Sequence, residues 1–134
     1  MKAVTVLAFI SSSVLAAPAA EDAFSLEARA IPSVGLGQQI QADTQINDWV
    51  VWEHGKTACP NTRAIAHLVY SPCGIKFTAP GSSERVQFCS CIGGTGAPTA
   101  LCDANGKKIR DCKTKNDKIN CHNGVHDIVQ HRYC

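Results

Sequence analysis

Eight cysteines set the terms for this 134-residue chain: Cys59, Cys73, Cys89, Cys91, Cys102, Cys112, Cys121 and Cys134. The number is even, and none precedes residue 59. In a chain that enters an oxidising compartment, such a set predicts four disulfides and no free thiol. Each bridge contributes about 2–4 kcal/mol, mainly by restricting the unfolded chain. Four can hold a domain whose apolar core is too small to do so alone. Zinc is the rival reading. Zinc knuckles place cysteines about two to four residues apart in matched pairs, and here only Cys89-Ser90-Cys91 is close, with C-x-C spacing. No metal and no cofactor is expected. Connectivity stays open, with on the order of a hundred pairings. Cys89 and Cys91 are expected to reach different partners, because residues i and i+2 of a strand share one face.

The start of the chain reads as an address. Met1-Lys2 is positive, Ala3 to Leu15 is apolar apart from Thr5 and Ser11-Ser12-Ser13, and Ala16, Ala17, Ala19 and Ala20 supply small residues for cleavage. Residues 1–17 are expected to be a secretory signal peptide, which makes the mature protein secreted and extracellular. No other run approaches the ~18 apolar residues of a membrane span. Residues 18–29 hold Glu21, Asp22 and Glu27 and no cysteine, and end in Leu26-Glu27-Ala28-Arg29. This resembles the Leu-x-x-Arg sites at which fungal secretory precursors are trimmed, so 18–29 is read as a pro-segment. Leu26 and Arg29 are its processing residues. What remains, 30–134, is expected to be a single cysteine-rich domain with 11 basic and 8 acidic residues.

The rest of the pattern is mostly β. Asn47 to Trp52, Gly74 to Thr78 and Arg85 to Ile92 are strand-like runs closed by His54-Gly55, Pro80-Gly81 and Gly93-Gly94. Asn105-Gly106 and Asn123-Gly124 each sit between short alternating runs, the strongest short hairpin signal, and together they predict a β-meander. Residues 31–46 carry Gly, Gln and Ser and read as an arm or a first strand. Residues 61–70 are open between a short helix, capped by Asn61 or Thr62, and a strand ending in Val69-Tyr70. The expected fold is small, disulfide-rich and mostly β: a twisted antiparallel sheet or small barrel held by four disulfides.

Phe88-Cys89-Ser90-Cys91, then Cys102, Gly106-Lys107, Asp111-Cys112, Cys121 and Cys134, with Cys59 and Cys73 ahead of them, resemble the cysteine frame of the bubble-protein type antifungal family. The resemblance covers 59–134. It implies a compact twisted β-sheet or small barrel with four bridges, and, less directly, antifungal action. The chain departs from that pattern in a longer N-terminal part, a longer Cys73-to-Cys89 gap and less lysine. The whole pre-pro-cysteine layout also resembles that of small secreted fungal effectors.

Chemistry-bearing residues are few. Glu53-His54, Arg63 and His67 supply the residue types of a secreted ribonuclease-like hydrolase, a base, an acid and a phosphate-binding Arg, but no local motif joins them. His122, His126 and His131 are spaced too irregularly on a hairpin to share a face, so surface histidine is the favoured reading. No phosphate loop, nucleophile elbow or paired-carboxylate motif occurs. The chain is therefore read as non-enzymatic.

Charge is more informative. Residues 106–118 carry Lys107, Lys108, Arg110, Lys113, Lys115 and Lys118 against Asp111 and Asp117, whereas 31–102 holds four basic and four acidic residues. Lys107, Lys108, Arg110, Lys113 and Lys115 are the candidate partner-binding residues, read as one basic hairpin and the loop after it. Trp49 and Trp52, three residues apart, are the other contact candidates, one expected in the core and one exposed. A host protein or an anionic surface is the expected partner of a monomeric chain. Nucleic acid is disfavoured because no aromatics interleave with the basic residues. The expected function is a secreted effector that binds a host target and modulates its defence. An antifungal or killer-type toxin acting on competitor membranes or walls is the alternative, and the small hydrolase the third.

Overall fold

The alternation Val34-Gly35-Leu36-Gly37 puts two branched side chains on one face of a strand and two glycines on the other. In the computed structural model, which describes residues 31–40, 47–122 and 126–134, this segment is the first strand, β1 (Val34–Ile40). It is the middle of a five-stranded antiparallel sheet. On one side lie β2 (Asn47–Glu53) and the edge strand β3 (Arg63–His67); on the other lie β9 (Ile128–Tyr133) and the edge strand β8 (Lys113–Ile119). A four-stranded antiparallel sheet runs β4 (Phe77–Thr78), β5 (Arg85–Cys91), β6 (Pro98–Asp103) and β7 (Lys108–Asp111). The fold is thus small, disulfide-rich and mostly β, with its strands divided over two antiparallel sheets. The signal peptide, the pro-segment and Leu26 and Arg29 lie outside the described residues.

The two faces of the five-stranded sheet are covered differently. Val34, Leu36 and Val51 pack against Phe77, Val86, Phe88 and Leu101 of the other sheet, forming the larger core. On the opposite face Val50, Trp52 and Ile128 pack under Ala58 of the segment after β2. Glycine at 35 follows from this: Trp52 is its cross-strand partner, and a Cβ there would run into the indole. Burying a tryptophan here removes roughly 150–250 Å² from water, which gives this small satellite core its weight.

Four disulfides form among the eight cysteines, and no cysteine is free. Cys59–Cys121 ties the segment over Trp52 to the end of β8. Cys89–Cys102 joins neighbouring strands β5 and β6. Cys73–Cys91 joins the loop before β4 to the end of β5, and Cys112–Cys134 joins the β7–β8 corner to the C-terminal residue. Cys89 and Cys91 do take different partners. Between them Ser90 sits at φ 52, a left-handed conformation costing a non-glycine residue roughly 1–3 kcal/mol. Its carbonyl accepts a 2.5 Å hydrogen bond from the Thr99 hydroxyl.

Two expectations need correction. Residues 61–70 are not helical: Arg63–His67 is strand β3, pairing with β2 through Asp48↔His67 and Trp49↔Ala66. A helix would have left that edge of β2 unpaired. Among the described residues the only helical piece is the 3-10 turn Ile92–Gly94. The meander is also interrupted. Asn105-Gly106 closes the β6–β7 hairpin as expected: the Asp103 carboxylate accepts the N–H groups of Asn105 and Lys107 at 2.9 Å, and Gly106 takes φ 87. The chain then leaves this sheet at Cys112 and enters the other as β8. Asn123-Gly124 lies outside the described residues, between strands β8 and β9, which pair antiparallel. No helix among the described residues is long and apolar enough to cross a membrane.

Candidate functional site

The basic segment, continuous in sequence, is divided in space. On the β6–β7 hairpin, Lys107 is exposed and its backbone N–H is held by Asp103. The Lys108 ammonium lies 2.9 Å from the Asp111 carboxylate. Arg110 stands opposite Leu101 in the ladder and is half-buried, its guanidinium donating to the Ile31 carbonyl. Burial holds its pKa below the ordinary arginine value. On β8, by contrast, Lys113 through Lys118 are six consecutive exposed residues. Lys113 and Lys115 therefore form the accessible part of the basic segment, with Lys118 placed 3.4 Å from Asp127. Arg110 is a structural cation and does not belong to that surface.

The tryptophans divide as a core and a surface residue. Trp52 is 2% exposed and is removed from the contact candidates by burial. Trp49 is half-buried, and its indole N–H donates to the Tyr70 carbonyl at 2.9 Å. Its ring meets His131 edge-on, with centroids 5.8 Å apart.

Around this pair the structure opens a groove of about 760 Å³ that the sequence did not disclose. Trp49, Leu36 and His131 of the five-stranded sheet line it, with residues 68–72 along one wall and 95–98 along the other. Thr114, Asn116 and Arg132 complete its polar side. Val69 and Tyr70, 86% and 64% exposed, stand on the first wall. Together with Trp49 and Leu68 they give the groove an apolar side. The second wall is a self-braced turn: Ile92 N–H donates to the Ala97 carbonyl at 3.0 Å, and Gly96 N–H to the Ile92 carbonyl at 2.8 Å. Cys73–Cys91 links the bases of the two walls. The His131 Nε2 is buried without a hydrogen-bond partner, and burial, followed by the Arg132 charge, lowers the ring's pKa.

The residues of the hydrolase reading do not converge. His67 pairs with Asp48 at 2.7 Å at one end of β2. His54 follows the other end, six residues on, or about 20 Å at the rise of a strand. There it stacks on Tyr133 with centroids 4.2 Å apart and accepts from the Gln130 amide at 3.4 Å. Its pKa is lowered, mainly by burial and then by Lys115. Glu53 faces Lys56 at 3.2 Å, and Arg63 donates to the Thr78 carbonyl at 3.3 Å. Among the described residues no three or more His, Cys, Asp or Glu gather to hold a metal.

No protein-family model matches the chain. No significant match is found among curated proteins or among solved structures. The β8 edge and the Trp49–His131 groove are the two candidate surfaces.

Proposed function

We propose that the chain is a secreted, non-enzymatic effector that binds a host protein through an acidic surface and modulates host defence. The β8 edge carries this reading: six consecutive exposed residues with three lysines against one acid. An edge strand also offers unpaired backbone groups along its outer side, so it can dock by charge and by ladder hydrogen bonds together. The titratable groups that a hydrolase would use are engaged in separate structural pairs, which supports binding over turnover. Four disulfides suit an oxidising, extracellular setting. The signal-like start and the Leu-x-x-Arg segment support secretion.

The test is quantitative binding to a target isolated from host tissue, comparing the native chain with K113Q/K115Q across a range of salt. The double variant should bind more weakly and with a shallower salt dependence, since exposed charges act over a Debye length of about 8 Å at physiological ionic strength. Unchanged affinity and salt slope would refute the β8 docking surface. Leakage of dye from anionic vesicles at the same concentrations, in the absence of host binding, would move the assignment to the antifungal toxin.

A further inference from the structure

The groove poses a separate question: it touches β8 through Thr114 and Asn116, but none of that strand's lysines lines it. Its lining is selective in charge. Among its lining residues Arg132 is the one permanently charged side chain, His131 can titrate, and there is no Asp or Glu. One N–H of Arg132 donates to the Thr114 hydroxyl at 2.6 Å. A guanidinium has about five N–H donors in a planar fork, so this contact fixes the group at the groove without exhausting it. The indole N–H of Trp49 is already taken by Tyr70, which leaves the tryptophan ring as an apolar surface only. The His131 Nε2 is a buried polar atom with no partner, and such atoms call for an explanation. Burial and then the neighbouring Arg132 lower the pKa of this ring, so it favours its uncharged form and Arg132 remains the charge of the groove.

We propose that the Trp49–His131 groove is a binding site for a small carboxylate with a flat apolar body. The body lies among Trp49, Leu68, Val69, Tyr70 and Ala97. The carboxylate, which only accepts hydrogen bonds, takes the free N–H groups of the Arg132 fork. About 760 Å³ lies in the ordinary range of small-molecule sites, about 300–1,000 Å³. The Cys73–Cys91 bridge holds the two walls at a set spacing before any ligand arrives, which lowers the ordering cost of binding. This inference goes beyond the effector reading and stands even if β8 binds nothing.

Naphthoate and its neutral analogue naphthamide are suitable probes, titrated by calorimetry into the oxidised chain. Naphthoate should bind at one site and naphthamide at least about tenfold more weakly, the discrimination expected of a hydrogen-bonded charge. R132Q should abolish that difference. K113Q/K115Q should leave it intact, which separates the groove from general attraction to β8. Y70A is a second variant that cannot disturb the core, since Tyr70 is 64% exposed and its carbonyl would still accept from Trp49; it should weaken naphthoate severalfold. In nuclear magnetic resonance the Trp49 indole N–H signal should shift on binding while that of buried Trp52 does not. Equal binding of acid and amide would assign the groove to neutral apolar partners and overturn the proposal. So would the absence of saturable naphthoate binding at millimolar concentration, or shifts confined to β8.

Discussion

Strands β7 and β8 are consecutive in the chain, both basic and both at a sheet edge, yet they hold their charge in opposite ways. On β7 the cations are tied into the structure. Lys108 faces Asp111, and Arg110 reaches across to the Ile31 carbonyl beside the main core. On β8 the lysines stand in water, and among the described residues only Lys118 has a carboxylate within ion-pair distance. What separates them is the crossing at Cys112, where the chain changes sheets and Cys134 pins the corner. Local charge density in a sequence therefore describes composition. It takes the sheet assignment to turn it into a surface.

Breaking the corner should have the largest effect. C112S/C134S removes the bridge that fixes where β7 ends and β8 begins, and should cost about 2–5 kcal/mol. Chemical denaturation of the variant, with the other three bridges confirmed by mass, measures it. An unchanged midpoint would mean that the two sheets hold the crossing without help.

Arg110→Met comes next. It keeps much of the side-chain volume but leaves the Ile31 carbonyl without its donor, a loss of roughly 1–3 kcal/mol for a buried unsatisfied group. The same measurement on K113Q/K115Q should show a change within about 0.5 kcal/mol per site. If R110M proved as silent as the β8 variants, the distinction between the two strands would collapse.

A subtler effect runs through His54. Its folded pKa lies below the ordinary histidine value of 6.5, with burial the main cause and Lys115 the second. The unfolded chain therefore binds more protons than the folded one just below that value. Stability is complete above about 6.5, falls as the pH drops toward the lower folded pKa, and then levels off. His131 acts in the same direction. K115Q should raise the His54 titration midpoint without restoring it fully, because burial remains. K108Q should leave it unmoved. Histidine ring resonances followed against pH check both outcomes, and equal shifts in the two variants would show that Lys115 is no nearer to His54 than the β7 lysine.

The smallest expected effect is on stability in K108Q. Its partner Asp111 is exposed, and pairs of this kind contribute about 0–1 kcal/mol. A larger loss would show that the hairpin needs its surface pair.

Several features were legible because they are local. Alternation marked β5, Asn105-Gly106 marked the β6–β7 turn, and the cysteine count marked four bridges. The Gly-rich Val34–Ile40 segment looked equally like an arm, since glycine weakens strand propensity. Only the indole of Trp52 over Gly35 explains why a small residue belongs there. Residues 61–70 were ambiguous because a five-residue strand is shorter than any reliable period, and the unpaired edge of β2 decided the outcome. The groove had no local signal at all. It joins Trp49, Tyr70, Ala97 and His131, which no spacing rule connects. The one available hint was Val69-Tyr70 ahead of Ser71-Pro72, two apolar residues entering a turn where water would meet them.

The clasp between Cys73 and Cys91 does not hold the groove alone. The walls it links are also held by backbone pairing: Cys73 bridges to Phe88, Gly74 donates to the Phe88 carbonyl, and Pro98 pairs with Cys91 in the ladder. A reductant that opened this one bridge would therefore leave the bases of both walls paired to β5 and β6, so the spacing of the groove is fixed twice, once by sulfur and once by the sheet.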